Sequence, residues 1–274
     1  MSVPSAARWQ AFIDTARLSD EAIDLARASL AIAAIEYPDV DPQRESGLID
    51  SLASVVAKRL GPDRDPLSAA NSLSEYLFDE VGFRGNREDY YDARNSYLND
   101  VLRRRLGIPI TLSLVYIEVG KRIGAPFVGI GMPGHFLVRH RDVADLFIDP
   151  FHGGILLSKE ECAARLRQVA GDTLAWSDAH LSPVSNREFL ARIIRNLKAS
   201  YARVKDLERA LRMIEWLIVF DPVVAAELRD RGLVEYHLGR RDDAVRDLRA
   251  YLDRAPDAAD APDVRRLVTL LAGS

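Results

Sequence analysis

Two short stretches in the middle of the chain contain residue types that can carry out acid–base chemistry. The stretch GMPGHFLVRH over 131–140 holds His135 directly after a Pro-Gly turn, and DLFIDPFHGG over 145–154 holds Asp149 at the end of an apolar run. If the two runs pair as a hairpin around Asp142, His135 faces Asp149 with the two Cβ atoms about 5 Å apart. A carboxylate beside an imidazole fixes the imidazole tautomer and favours its protonated form, as the acid of a catalytic triad does.

This interpretation depends on the pairing register of the hairpin. The assumed register also places Arg139 opposite Asp145. A slip by one residue would move His135 and Asp149 to opposite faces of the sheet. The alternative is a structural histidine at the start of a strand, bonded to a loop carbonyl.

A metal site is another interpretation of the same region. His135, His140, Asp149 and His152 lie close together in the sequence. However, His135 and His140 are five positions apart, so on a strand they point to opposite faces. We therefore predict no metal at this site, and no motif indicates a cofactor, because the Gly-rich pieces lack the Lys of a phosphate-binding loop.

The elements around these residues predict an α+β fold. The segment GIPITLSLVYIEVGKRIG over 107–124 is apolar on nearly all sides, which predicts a buried helix with Pro109 in its first turn. The runs over 126–131, 135–140 and 145–149 predict short strands after it. A central helix followed by an antiparallel sheet is typical of an α+β core, which we place at 86–182.

The sequence predicts that the regions on either side of this core are helical. Residues 1–85 predict a helical N-terminal region, with helices over 20–36, 46–60 and 66–81. Residues 183–274 predict a second helical domain with an internal repeat. There Ala210 recurs as Ala244 and Pro222 as Pro256, both at an offset of 34 residues, which is typical of tetratricopeptide (TPR) repeats.

The composition limits the classes of partner. The chain has 274 residues, a net charge of −4 and a pI near 5.8, which argues against nucleic-acid binding. Its single cysteine excludes an internal disulfide and fits a reducing compartment. No run approaches the roughly 20 apolar residues that a membrane helix needs. We expect a cytoplasmic protein without nucleic-acid or membrane partners.

The order of these motifs resembles a known family. The run RNSYLNDVLRRRLGIPITLSLVYIEVGKRIG, followed by GMPGHFLVRH and FIDPFHGG, is similar to the transglutaminase-like core of the bacterial SirB-type proteins, which carry TPR repeats after the core. The similarity is closest over 85–157 and implies a papain-like transglutaminase fold. In that superfamily a cysteine lies at the start of the central helix, and a histidine and an aspartate lie on neighbouring strands. The last two match His135 and Asp149.

The cysteine of that pattern is missing here. The nucleophile position falls over 109–111, where Thr111 offers a hydroxyl, and Ser113 follows. A thiol at a helix N-terminus ionises readily, whereas a hydroxyl needs a well-placed base for each attack. Thr111 is therefore a candidate for a weak nucleophile, with helix-end capping as the alternative. Cys162 is a further candidate, with core packing as the alternative.

Two asparagines suggest a polar cleft. Asn95 and Asn99 are four residues apart on a helix predicted over 92–107, and they belong to the NSYLN part of the family resemblance. We predict that Asn95, Asn99 and Ser113 contribute to binding. An exposed helix face is the alternative for the asparagines.

These residues leave more than one function open. The first is a binding or regulatory module that keeps the transglutaminase-like fold without thiol chemistry and presents its TPR helices to a protein or peptide partner. The second is an acyl-transfer or amide-hydrolysing enzyme that uses His135 and Asp149 with Thr111, Ser113 or an activated water. A metal-dependent hydrolase is a third, weaker interpretation. We favour the first.

Overall fold

The computed structural model describes residues 5–61, 65–171, 174–221 and 224–273. Its contacts divide the chain into two units, with the boundary between Ile193 and Ile194. The division into three parts at 85 and 182 stays a prediction.

The first unit opens with helices, as the sequence predicts. Their bounds are Ser5–Arg17 (α1), Leu25–Glu36 (α2), Pro42–Leu60 (α3) and Pro66–Ser74 (α4), the last continuing as a π-helical segment over Glu75–Glu80. The side chains of Asp24, Asp41 and Asp65 cap the backbone N–H groups at the starts of α2, α3 and α4. The helix predicted over 20–36 begins later, at Leu25. The carboxylate of Asp20, before this helix, accepts the backbone N–H groups of 186 and 187, far along the chain.

The helix predicted over 92–107 is wrong as a single helix. A 3-10 turn at Ala93–Asn95 is followed by a short helix, Leu98–Arg104 (α5), and Arg105 then adopts a left-handed conformation with φ 58°. Strand β1, Arg84–Gly85, pairs in parallel with β2, Leu106–Gly107. The break follows from tertiary hydrogen bonds of Asn95, described below, which hold the 3-10 turn against a loop.

The central helix is confirmed. It spans Pro109–Arg122 (α6), and every residue from Pro109 to Gly120 is buried. Glu118 is among them, and its carboxylate accepts a hydrogen bond from Arg122 Nη1 at 2.6 Å. A helix enclosed on all sides must be apolar on all sides, apart from such paired groups.

An antiparallel sheet lies beside this helix. Its strands are ordered β3-β4-β5-β6, with bounds Phe127–Ile130, Leu137–His140, Phe147–Asp149 and Ile155–Leu157. Helix α6 packs against β3 and β4. Helix α7, Lys159–Ala170, buries Cys162 and Leu166 in a core cluster with Phe147. The α+β class is therefore confirmed.

The second unit is a set of helices. Helix α8, Asn186–Arg203, crosses the boundary at Ile193 and is followed by Leu207–Phe220 (α9), Ala225–His237 (α10), Arg241–Arg254 (α11) and Ala261–Gly273 (α12). Ala210 and Ala244, which are 34 residues apart, are both fully buried. A Cβ on Gly232 would lie 2.7 Å from Leu248 Cγ, so a small residue lets α10 approach α11 closely. In the part of the chain that the structure describes, no helix combines the length and apolarity needed to span a membrane.

Candidate functional site

His135 and Asp149 lie together in the first unit. Nε2 of His135 is 2.9 Å from Oδ2 of Asp149, and both side chains are almost completely buried. Asp149 ends β5, whereas His135 lies just before β4, where the Pro-Gly turn at 133–134 brings the chain into the sheet. The sequence prediction that these two side chains meet agrees with this geometry.

The strand register differs from the predicted one by two residues. Val138 pairs with Ile148 and Arg139 with Phe147, rather than Arg139 with Asp145. Because side chains alternate with a period of two, a shift of two leaves His135 and Asp149 on the same face. The imidazole therefore reaches the carboxylate diagonally instead of from the directly opposed position.

A second histidine joins the pair through a local turn. Asp149, Pro150 and His152 form a 3-10 turn in which Oδ1 of Asp149 accepts the backbone N–H of His152 at 3.3 Å. The same turn places His152 Nδ1 2.7 Å from Oδ2 of Asp149. An Asp that caps, a Pro in the first position and two following glycines are a turn signal that the sequence contained. The sequence pattern indicated His152 only as a candidate metal ligand.

Electrostatics keeps Asp149 ionised. Burial alone would raise the pKa of Asp149, but hydrogen bonds from His135 and His152 outweigh it and hold that pKa well below its usual range. An ionised carboxylate can only accept hydrogen bonds. The protons therefore lie on Nε2 of His135 and on Nδ1 of His152.

Arg165, on α7, completes the cluster. Its Nη1 lies 3.1 Å from both ring nitrogens of His152, of which Nε2 is the one free to accept a hydrogen bond, and its Nη2 lies 3.6 Å from Oδ2 of Asp149. His135, Asp149 and His152 have ligand atoms within 4.8 Å of one another, so they could serve as a set of metal ligands. The adjacent guanidinium opposes a second cation at that point. His140 is not part of the set, and its Nδ1 accepts the backbone N–H of Asp142.

Thr111 is fully buried at the start of α6. Its hydroxyl donates to the backbone carbonyl of Asn95 at 2.6 Å and accepts the backbone N–H of Ile108 at 3.1 Å. Among residues with described positions, no hydrogen bond joins Thr111 to His135. This geometry is that of a capping hydroxyl, and the role of Thr111 as a nucleophile stays a prediction.

Asn95 links the start of the central helix to a surface loop. Its side-chain amide donates to the backbone carbonyls of Asp89 and Tyr90 at 2.7 and 3.2 Å, and its Oδ1 accepts from Asn86 at 3.0 Å. The loop over 86–92 is thereby held next to the His–Asp turn. All the side-chain hydrogen bonds that we find for Asn95 are internal, so a ligand contact would require this loop to move.

Asn99 and Ser113 are also fully buried. Neither amide atom of Asn99 nor the hydroxyl of Ser113 has a hydrogen-bond partner within the described ranges. Enclosed polar atoms of this kind are uncommon in folded proteins. The predicted binding role of both residues remains a proposal.

Cys162 has the surroundings of a packing residue. Its side chain is fully buried in the cluster with Phe147 and Leu166. Burial, together with the negative charge of Asp149, raises the pKa of the thiol to about 12. A thiol with that pKa is not a thiolate at neutral pH and is a poor nucleophile.

An aromatic wall, formed by Phe151 and Tyr90, lies beside His135. His135 Nδ1 makes no hydrogen bond with any described residue. It is also not fully enclosed by protein atoms, so it borders solvent. The ring of Phe151 lies 6.2 Å from that of His135, and Tyr90 packs against Phe151 at 6.1 Å. A Cβ on Gly85 would lie 2.5 Å from Phe151, so this wall requires glycine in β1.

Comparison with known proteins agrees with this architecture. A model of the transglutaminase-like superfamily matches residues 44–195, and a model of the tetratricopeptide repeat matches 197–269. A UPF0162 protein of Xylella fastidiosa (strain Temecula1) is 40% identical over 260 residues, which is 91% of this chain and 90% of the relative. A UPF0162 protein of Vibrio cholerae is 27% identical and covers 92% of this chain and 93% of its own length.

A shorter similarity reaches a mammalian protein. F-box only protein 21 of Mus musculus is 40% identical over 101 residues, which is 34% of this chain and 16% of the mouse protein. The family model, the UPF0162 relatives and the helical repeat agree with the SirB-type resemblance seen in the sequence. The chain belongs to the UPF0162 family of transglutaminase-like proteins with C-terminal tetratricopeptide repeats.

Proposed function

We propose that this protein binds a protein or peptide partner and does not carry out transglutaminase-type acyl transfer. The observation that carries the proposal is that each candidate nucleophile is hydrogen-bonded, buried or held as an un-ionised thiol. The hydroxyl of Thr111 is committed to backbone groups, Ser113 is fully buried, and the pKa of the Cys162 thiol is raised to about 12. Covalent acyl transfer needs a nucleophile within hydrogen-bond reach of its base.

The second unit supports the partner-binding part of the proposal. TPR helices stack into extended surfaces that commonly bind other proteins. Among the described residues of this unit, several large apolar side chains are exposed: Val204, Val219, Tyr236 and Leu270. As part of the same proposal, the protein acts in the cytoplasm and binds neither nucleic acid nor membrane, given its negative net charge and single cysteine.

Activity assays test the first half of the proposal. The full chain is incubated with a fluorescent primary amine and a glutamine-containing acceptor peptide, and separately with a fluorogenic peptide amide. We expect no turnover above that of His135→Ala with either substrate. Turnover by the parent that disappears in His135→Ala, with the fold intact by circular dichroism, would overturn the proposal.

Binding assays test the second half. Partners captured on the immobilised full chain are compared between Val204→Glu and the matched control Leu67→Glu, since Leu67 is an exposed apolar residue of the first unit. We expect Val204→Glu, or the same change at Leu270, to reduce capture while Leu67→Glu does not. Equal capture by all three variants would contradict a role for the TPR surface.

A second candidate function rests on the geometry of His135. Asp149 orients the imidazole through Nε2 and leaves Nδ1 beside solvent, which suits a general base that activates water. Under this alternative an amide substrate is hydrolysed without a covalent intermediate. Asp149→Asn would then lower turnover by about 10²–10⁴-fold, the usual contribution of general acid–base catalysis. Turnover unchanged by both Asp149→Asn and His135→Ala would remove this alternative.

A further inference from the structure

Arg165 has hydrogen-bonding capacity that the site does not use. Its guanidinium makes hydrogen bonds to described residues only through Nη1, which contacts His152. Nε and Nη2 make no hydrogen bond to a described residue. Neither atom is fully enclosed by protein, so both border solvent. The Arg165 and His152 side chains are 18% and 23% exposed, so they are the members of the cluster that reach the surface.

Asp149 does not require these donors. Its Oδ2 accepts from His135 and His152, and its Oδ1 accepts the backbone N–H of His152. Three N–H donors therefore already satisfy the carboxylate, while Nη2 of Arg165 stays at 3.6 Å, beyond hydrogen-bond distance. The guanidinium balances the charge of Asp149 and keeps its own donors available.

The side chains around these donors lie close together. The rings of His135 and His152 are 5.6 Å apart, and the ring of Phe151 lies 6.2 and 5.2 Å from them. The guanidinium of Arg87 lies 5.9 Å from the centroid of the Phe151 ring. The exposed acids of the same loop are Glu88 and Asp89.

We infer that this cluster of side chains binds a carboxylate group of the partner, held by the guanidinium of Arg165 beside the two imidazoles. This inference rests on the proposed partner-binding function and names the group that is recognised. A planar guanidinium with two donors that border solvent matches a carboxylate in shape and charge. A divalent metal fits less well, because it would lie next to that guanidinium. The carboxylate belongs to a peptide C-terminus or to an acidic side chain.

The test uses the full chain and three small probes. The probes are N-acetyl-Ala-Ala with a free C-terminus, the same dipeptide as its C-terminal amide, and N-acetyl-Asp-Ala amide, which carries only a side-chain carboxylate. Binding is followed at constant pH through the imidazole ¹⁵N and ¹H signals of His135 and His152. We expect saturable shifts with at least one carboxylate probe and none with the neutral amide; the two acidic probes show which source is preferred.

Variants of α7 assign the contact to Arg165. Arg165→Gln should weaken the carboxylate probe about tenfold or more, the loss of a charge-assisted hydrogen bond. Arg165→Lys, which keeps the charge, should weaken it less. The matched control is Arg167→Gln, an exposed position on the same helix with the same change of charge. Thermal melts identify any variant that is unfolded. If Arg165→Gln is unfolded, Arg165→Lys is compared with the parent instead.

Three results would overturn the inference: equal shifts with the neutral amide, no shift with either acid, or equal weakening by Arg167→Gln. Tight Zn²⁺ binding by the parent at the same imidazoles would also overturn it, by making the cluster a metal centre. None of these results bears on capture of partners by the TPR surface. The failure of this inference is therefore distinguishable from failure of the proposed function.

Discussion

The hydroxyl of Thr111 provides the sharpest test of how the start of the central helix is built. Thr111→Val keeps the branched shape and the volume of the side chain but removes the oxygen. The backbone N–H of Ile108 and the carbonyl of Asn95 then lose the partners they have at 3.1 and 2.6 Å. Both groups bond to a residue with no exposed surface, so water cannot readily replace the hydroxyl.

The expected loss follows from those two groups. Leaving one buried polar group unpaired costs about 1–3 kcal/mol, so leaving both unpaired should lower the free energy of unfolding by about 2–6 kcal/mol. For a unit of this size, a loss near 3 kcal/mol corresponds to a decrease in Tm of roughly 6–12 °C. Thr111→Ser keeps the oxygen and removes one methyl group, so it should cost only about 1 kcal/mol.

Differential scanning calorimetry of the parent and both variants measures these shifts. The same samples enter the amide-turnover assay, because a nucleophilic Thr111 predicts activity in the parent and in Thr111→Ser but none in Thr111→Val. A Thr111→Val protein within about 0.5 kcal/mol of the parent would refute the capping argument. It would mean that the hydroxyl is free for another role.

Further tests concern Cys162, Gly154 and Glu235. The buried Cys162 thiol, with its pKa raised to about 12, should resist iodoacetamide at pH 8 until urea unfolds the chain; prompt labelling of the native protein would contradict this. Gly154→Ala should lower the free energy of unfolding by about 2–4 kcal/mol, because φ is +72° and the new Cβ would lie 2.7 Å from Phe78. The control is Gly153→Ala, which has a similar φ of +77° but open space around the new Cβ and should cost about 1 kcal/mol. Equal unfolding midpoints for the two variants would refute this. Burial and the nearby Asp247 raise the pKa of Glu235 to about 7. The folded state then binds more protons than the unfolded state between pH 4.5 and 7, so stability falls as the pH rises through that window. Glu235→Gln should therefore stabilise the protein more at pH 8 than at pH 5, and thermal melts with the same gain at both pH values would exclude this mechanism.

Part of the candidate site was predictable because it depends on local periodicity. The alternation of side chains along a strand was enough to place His135 and Asp149 on one face, and it tolerated a register error of two residues. His152 carried a local signal as well, since an Asp-Pro pair and two glycines surround it. Arg165 carried no such signal, because it approaches the site from a different helix, 13 residues after His152.

The prediction of a single helix that carries Asn95 and Asn99 failed for a similar reason. Helical spacing placed both on one face of a helix, but hydrogen bonds from Asn95 to Asp89 and Tyr90 end the 3-10 turn before α5 begins. Intrinsic propensity is a weak prior when a buried side chain can satisfy distant backbone groups. The choice between helix and turn was therefore made by tertiary contacts.

The sequence by itself determined the buried central helix, the strands after it, the 34-residue repeat and the absence of a cysteine at the start of the helix. Each of these features depends on the order of apolar, small and polar residues along a short stretch of chain. Only the tertiary structure decided what the polar groups do. The hydroxyl of Thr111 is engaged by a carbonyl 16 residues away, and Asp149 is shared by two histidines beside Arg165. Hydrogen bonds and charges act over a few ångströms in space, so their partners are known only once the chain is folded.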